Sequence, residues 1–242
     1  MKLSLRYTRL LFVLVFVPFV LAGCGIGGGS KSRSAAGTSD KPYVEPKPVA
    51  KDWTLYTLEN DGFAISLPPG WKEFNLSEQS LQAIMSEMAA ANPEFGSALG
   101  SQVAGMVSQG VKFYAFDLYS SSLQMGFANN INLLRIDKPS DVDLNRAVKE
   151  SIDELEKQLA GSLDGPILSA RLTTIGGEEM RRINYDAFLN MPDGTPISVS
   201  LVQYMAVTEG SLYILTGTTT TSQINDYAHT FEEIAQGLYL LR

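Results

Sequence analysis

Phe63-Ala64-Ile65-Ser66-Leu67-Pro68-Pro69-Gly70-Trp71 is a strand followed by its own terminator. Phe63, Ile65 and Leu67 alternate with Ala64 and Ser66, the two-residue period of an extended chain. Pro68 and Pro69 withdraw backbone donors, and Gly70 supplies a reversal, so the strand cannot continue past Leu67. Upstream, Trp53, Leu55 and Thr57 alternate along a short first strand. Downstream the period changes. Leu81, Ile84, Met85 and Met88 share a helical face behind Ser77 as N-cap, Pro93 breaks that helix, and Phe95, Leu99, Val103, Met106 and Val107 mark a second one. This predicts an inserted αα-hairpin over 77–109.

Further out the pattern returns to strands, at Val111 to Tyr119 and Asn130 to Ile136. In the first, Tyr114, Phe116 and Leu118 point one way and Val111, Phe113, Ala115 and Tyr119 the other. Both sides are apolar, which predicts a central strand. A helix capped at Ser140 or Asp141 follows, with Leu144, Val148, Ile152, Leu155 and Leu159 on one stripe and Gly161 as its stop. Four runs then read as an antiparallel meander: Ile167 to Ile175, Gly177 to Leu189, Pro196 to Val207 and Leu212 to Gly217. Gly176-Gly177, Met191-Pro192-Asp193-Gly194 and Glu209-Gly210 turn between them. Thr218 to Thr221 reads as a connection to a last helix capped at Ser222, which carries Ile224, Tyr227, Ala228, Phe231, Ile234 and Ala235 on one face.

The opening stretch, Phe63 to Trp71, resembles the start of PsbP-like proteins, the fold of the extrinsic photosystem II subunit and of many bacterial lipoproteins. Gly177 through Arg182 to Tyr185, Gln203-Tyr204, Gly210 through Tyr213-Ile214-Leu215-Thr216, and Phe231 with Ile234 follow in the family's order. The resemblance covers about Trp53 to the end. It implies an α+β fold, an antiparallel β-sheet flanked by helices on both faces (an α/β/α sandwich), and a role in binding or assembly. The 77–109 hairpin is longer than the family's connection, and the segment that engages the photosystem in plants is replaced here by a plain tether. A photosynthetic role is therefore not inherited.

The N-terminus carries Lys2, Arg6 and Arg9, then an apolar run from Leu10 to Leu21, then Ala22 and Gly23. This is the layout of a secretory signal, and the run is short for a spanning helix, which needs ~20 residues. Leu21-Ala22-Gly23-Cys24 resembles the lipobox of bacterial prolipoproteins. That resemblance implies cleavage between Gly23 and Cys24, lipid on the Cys24 thiol, and residues 1–23 as signal peptide. Cys24 is the chain's one cysteine, so no internal disulfide is possible. Residues 24–51, rich in Gly, Ser and Pro, read as a tether; a coil of about 27 residues spans roughly 30 Å. The folded domain is expected over 52–242.

The chain carries 19 basic and 26 acidic residues; without the signal's three basic residues it carries 16 against 26, a net charge of −10. Such a balance disfavours nucleic acid as a partner. The one histidine, His229, excludes histidine triads and multi-histidine metal sites, and its place among polar positions predicts a solvent-facing side chain. No Gly-x-Ser-x-Gly or phosphate-loop pattern occurs. Asp141, Asp143 and Asn145 have calcium-loop spacing, but Arg146 stands where the loop needs glycine; acids at a helix start explain them. Asp117, an acid in an apolar strand, is expected to hydrogen-bond to backbone.

No catalytic residue, cofactor or metal is therefore expected. The expected activity is that of a membrane-anchored, extracytoplasmic lipoprotein serving as a non-catalytic protein-binding or complex-assembly module, its partner at the same membrane surface. Arg171, Arg182, Asn184 and Asp186 are the candidate binding surface, on the meander's polar face. The alternative is a carrier holding an apolar ligand or lipid between the sheet and the hairpin, with Met85, Met88 and Met106 as the candidate apolar site.

Overall fold

The computed structural model describes residues 44–74, 110–117, 119, 127, 129–137, 143–174, 177–190 and 196–241. The signal segment, the tether as far as residue 43 and the expected 77–109 hairpin lie outside the described residues.

Among the described residues, ten strands and two helices follow one another as β1 (Thr54–Leu58), β2 (Phe63–Leu67), β3 (Trp71–Glu73), β4 (Val111–Asp117), β5 (Asn130–Asp137), α1 (Leu144–Gln158), β6 (Leu168–Thr173), β7 (Glu179–Asn190), β8 (Pro196–Val207), β9 (Ser211–Thr220), α2 (Ile224–Gln236) and β10 (Tyr239–Leu240). This is the expected α+β class. Seven strands form one sheet in the order β3-β4-β5-β9-β8-β7-β6, and β1-β2-β10 form a second; every pairing is antiparallel.

The Pro-Pro-Gly stretch moves the chain from one sheet to the other. All five residues of β2 are buried in the small sheet. Gly70 then takes φ +91°, the Trp71 N–H donates to the Pro68 carbonyl (3.3 Å), and Trp71 opens β3 at the edge of the large sheet. β3 is three residues long, too short for its period to declare it in the sequence.

Alternation along the large sheet sorts its side chains into two buried clusters. Tyr114, Ile183, Tyr185, Leu201, Met205 and Ile214 pack with Ala147, Val148 and Leu155 of α1. Phe113, Leu133, Val202, Tyr204 and Leu215 pack with Phe231, Ile234 and Ala235 of α2 and with Phe63, Ile65 and Leu67 of β2. Each fully buried side chain of this size contributes roughly 1.5–3 kcal/mol, so the two clusters carry most of the favourable term. Before β1, Val49 is seated against the end of α2: a Cβ on Gly237 would lie 2.2 Å from its Cγ2.

The structure corrects four sequence-based expectations. β4 is next to the sheet's edge, not central; its two-sided burial comes from the two clusters rather than from its position. A register shift between Val111 and Phe113 inserts one residue, so Val111 joins Tyr114 and Phe116 instead of facing away from them. The cap of α1 is Asp143, whose carboxylate accepts from the Arg146 N–H (2.8 Å). β9 runs on through Thr220, past the expected end at Gly217: Thr218, Thr219 and Thr220 pair with Leu201, Ser200 and Val199, because β-branched threonine suits the pleat.

Candidate functional site

β7 and β8 are twelve residues each and pair without interruption, so every second side chain of one meets a defined side chain of the other. Arg182, Asn184 and Asp186 stand opposite Tyr204, Val202 and Ser200, on the face that α2 crosses. The Arg182 guanidinium donates to Glu232 of α2 at 2.7 Å, both side chains about one third exposed. A pair so placed is screened and contributes at most about 1 kcal/mol; its main effect is to hold α2 in register over the sheet.

Beneath that pair lies Tyr204, 1% exposed. Burial raises the pKa of its phenol, the Glu232 charge raises it further, and Arg182 opposes them. The Tyr204 hydroxyl and the Asn184 Oδ1 are both buried with no hydrogen-bond partner. Asp186 accepts a hydrogen bond from the Ser200 hydroxyl, and Ser198 and Thr221 exchange one at 2.8 Å. Between these groups and Ile224 and Ala228 of α2 is a cleft of about 80 Å³. Leu168 pairs with Asn184 from β6 and Phe188 lies two residues beyond Asp186; they are 60% and 47% exposed, two of the four large hydrophobic side chains that stand exposed among the described residues. A small cleft with charged and amide groups at hand, on a face that also carries exposed apolar side chains, suits recognition of a partner's side chain.

Arg182, Asn184 and Asp186 thus come together. Arg171 does not join them: it pairs with Arg181, while Arg182 pairs with Ala170, so Arg171 lies on the α1 side of the sheet. A one-residue change of register moves every side chain to the other face, and the register of β6 on β7 is invisible in either strand taken alone. Gly23, Cys24, Met85, Met88 and Met106 lie outside the described residues. Tyr204, Glu232, Leu168 and Phe188 were missed. Phe188 shares the parity of Asp186 and could have been found by extending the alternation; Glu232 could not, since only the tertiary fold brings α2 to Arg182.

Asp117 accepts from the Tyr119 N–H (2.8 Å) and from the Tyr227 hydroxyl, so it is held at the strand end through backbone and a phenol. His229 is exposed on α2, with Glu233 at 3.6 Å. Among the described residues no group of three or more His, Cys, Asp or Glu side chains could hold a metal, and no helix is long and apolar enough to cross a membrane.

Among solved structures, the chain is similar to the cyanobacterial PsbP (CyanoP) of Synechocystis, with a TM-score of 0.50 at 12% identity over 86% of this chain and 98% of that one. It is also similar to LpqN of Mycobacterium tuberculosis, described as involved in cell envelope biogenesis (TM-score 0.44, 9% identity, 82% and 90% covered). A third likeness is to the Saccharomyces cerevisiae Ran-binding protein Mog1p (TM-score 0.41, 11% identity, 79% and 97% covered). No protein-family description and no curated protein sequence matches the chain. At these identities the likeness is one of architecture, and the fold is PsbP-like.

Proposed function

We propose that this chain is a membrane-anchored, extracytoplasmic lipoprotein whose domain binds a protein partner without catalysis, as an assembly module near the membrane surface. The observation that carries the binding role is the α2-side face of the sheet, where Arg182, Asn184 and Asp186 line a cleft and Leu168 and Phe188 stand exposed on the same face. Large apolar side chains left in solvent beside a cleft are a feature of interaction surfaces. Leu21-Ala22-Gly23-Cys24 supports the anchoring. A non-catalytic reading fits Asp117, whose carboxylate is engaged by Tyr119 and Tyr227, and His229, which faces solvent.

Two measurements test the two halves separately. A photoreactive phenylalanine analogue in place of Phe188, irradiated in intact cells, should yield one reproducible protein adduct. Absence of any adduct across replicates would remove the binding role. Cys24→Ser should leave the fold unchanged and release the domain into the soluble fraction; a variant that stays with the membrane would overturn the anchoring. Lipid co-purifying stoichiometrically in native mass spectrometry, with no protein adduct, would favour the carrier reading instead.

A further inference from the structure

The two ends of the seven-stranded sheet are unequally protected. At one end β3 has three residues. At the other, β6 presents six, pairing one for one with Glu179–Asn184 without a bulge, and all but Leu172 are exposed. Half of the backbone N–H and C=O groups of such a strand point away from β7, its only neighbour among the described residues. Edge strands are normally blunted by shortness, bulges, proline or several charges. β6 has no proline, no bulge and one charge, Arg171.

Alongside this edge, on the α1 side, runs an open groove of about 280 Å³. Val148 and Ile152 of α1 supply its apolar floor, and Ser169 and Arg181 its strand wall. Arg181 donates to Asn145, but its Nε is buried with no partner. Lys149, also in the groove, is already paired with Asp153 at 2.6 Å. Arg171 stands directly opposite Arg181 on the same face and makes no ion pair with any described residue. Two like charges opposite one another are unfavourable, and an anion between them relieves that cost. With the Lys149–Asp153 pair neutral and Glu179 two residues from Arg181 on the same face, Arg171 and Arg181 still leave this edge with a net positive charge, on a chain whose net charge is −7.

We propose that β6 is the docking edge of the module: it takes an extended segment of a partner protein as an eighth strand, with an acidic side chain turned toward Arg171 and Arg181. Backbone pairing supplies the affinity and the groove selects the side chain, as in strand addition generally. A second copy of this chain fits less well. With the α1 faces together, two antiparallel copies of β6 overlap over five of its six residues, and either such register sets the two Arg171 side chains directly or diagonally opposite each other. The inference rests on the reading of the domain as a protein-binding module and specifies how that binding is done.

The test uses the full lipidated chain in nanodiscs, panned against a random twelve-residue peptide library with empty nanodiscs as counter-selection. Enriched peptides should carry Asp or Glu at a fixed position. N-methylation of the peptide backbone at every second residue should weaken binding about tenfold, with little effect at the residues between. Arg171→Glu should abolish the acidic preference, because the new carboxylate would pair with Arg181 opposite it. Peptides indifferent to that alternation, or lost on Asp186→Asn and Phe188→Ser but not on Arg171→Glu, would overturn edge docking while leaving the binding module standing. Failure to enrich any peptide would also overturn it, and the module would then rest on the Phe188 adduct alone. A dimer in sedimentation that Arg171→Glu alters would replace the partner segment with a second copy.

Discussion

β9 and β6 lie three positions apart in the same sheet. All ten residues of β9 are buried, between β5 and β8 and beneath α2, whereas five of the six residues of β6 are exposed. Their compositions do not announce this. β9 ends in Thr218-Thr219-Thr220, and β6 contains two leucines and one charge. Hydroxyls are carried into the interior because the fold gives some of them partners: Thr219 donates to Asn129 at 3.0 Å and Thr220 to Gln223 at 3.1 Å. Thr218 Oγ1 is buried with none. Position in the sheet, more than residue type, sets what a side chain contributes.

The comparison breaks first where β9 meets α2. Gly217 lies under the Phe231 ring, and a Cβ there would come within 2.6–2.8 Å of three ring atoms. Phe231→Ala should cost about 3–5 kcal/mol in chemical denaturation, and Gly217→Ala about 1–3 kcal/mol through overpacking. The double variant should lose clearly less than the sum, since removing the ring makes room for the methyl. Additive losses would show that the two do not share that space.

The threonines sharpen it further. Thr219→Val should cost about 1 kcal/mol by removing a buried hydrogen bond, while Thr218→Val, which exchanges an unpartnered hydroxyl for a methyl, should be neutral or stabilising by up to about 1 kcal/mol. Losses of the same size at both would mean that the hydroxyls are equivalent. At the edge, Arg171→Ala should leave stability within about 0.5 kcal/mol of the parent; a larger loss would make β6 a structural strand and not a free one.

The smallest effect belongs to the opposite edge. Burial raises the pKa of the Glu73 carboxyl on β3. A raised folded value means that the contribution is fully present below the ordinary glutamate range and is lost as pH rises through the folded value. Glu73→Gln should abolish that loss, so the Tm difference between variant and parent should grow slightly from about pH 4 to about pH 7. A constant difference would assign the effect to packing.

Much of this was legible wherever one element carries its own signal. The stripe from Leu144 to Leu155 gave α1, Ile224 to Ala235 gave α2, and the glycine turns divided the meander. What escaped depends on relations between elements. Arg171 and Arg182 were grouped because each alternates correctly within its strand, yet only the pairing of Ala170 with Arg182 decides their faces. The residue inserted near Lys112 is silent in a sequence with apolar side chains on both faces. β10, two residues long, exists because β2 is there to pair with it.

The seat of Val49 against Gly237 has a mechanical consequence. The Leu241 N–H donates to the Gly62 carbonyl at 2.8 Å, and Asp61 just before it is held by Arg135 of β5, so the chain enters and leaves at one corner of the domain. A pull applied through residues 44–49 loads that corner first. β6 lies four strand spacings from β5, roughly 19 Å away at ~4.8 Å each. The far edge of the sheet therefore lies remote from the corner where such a load enters.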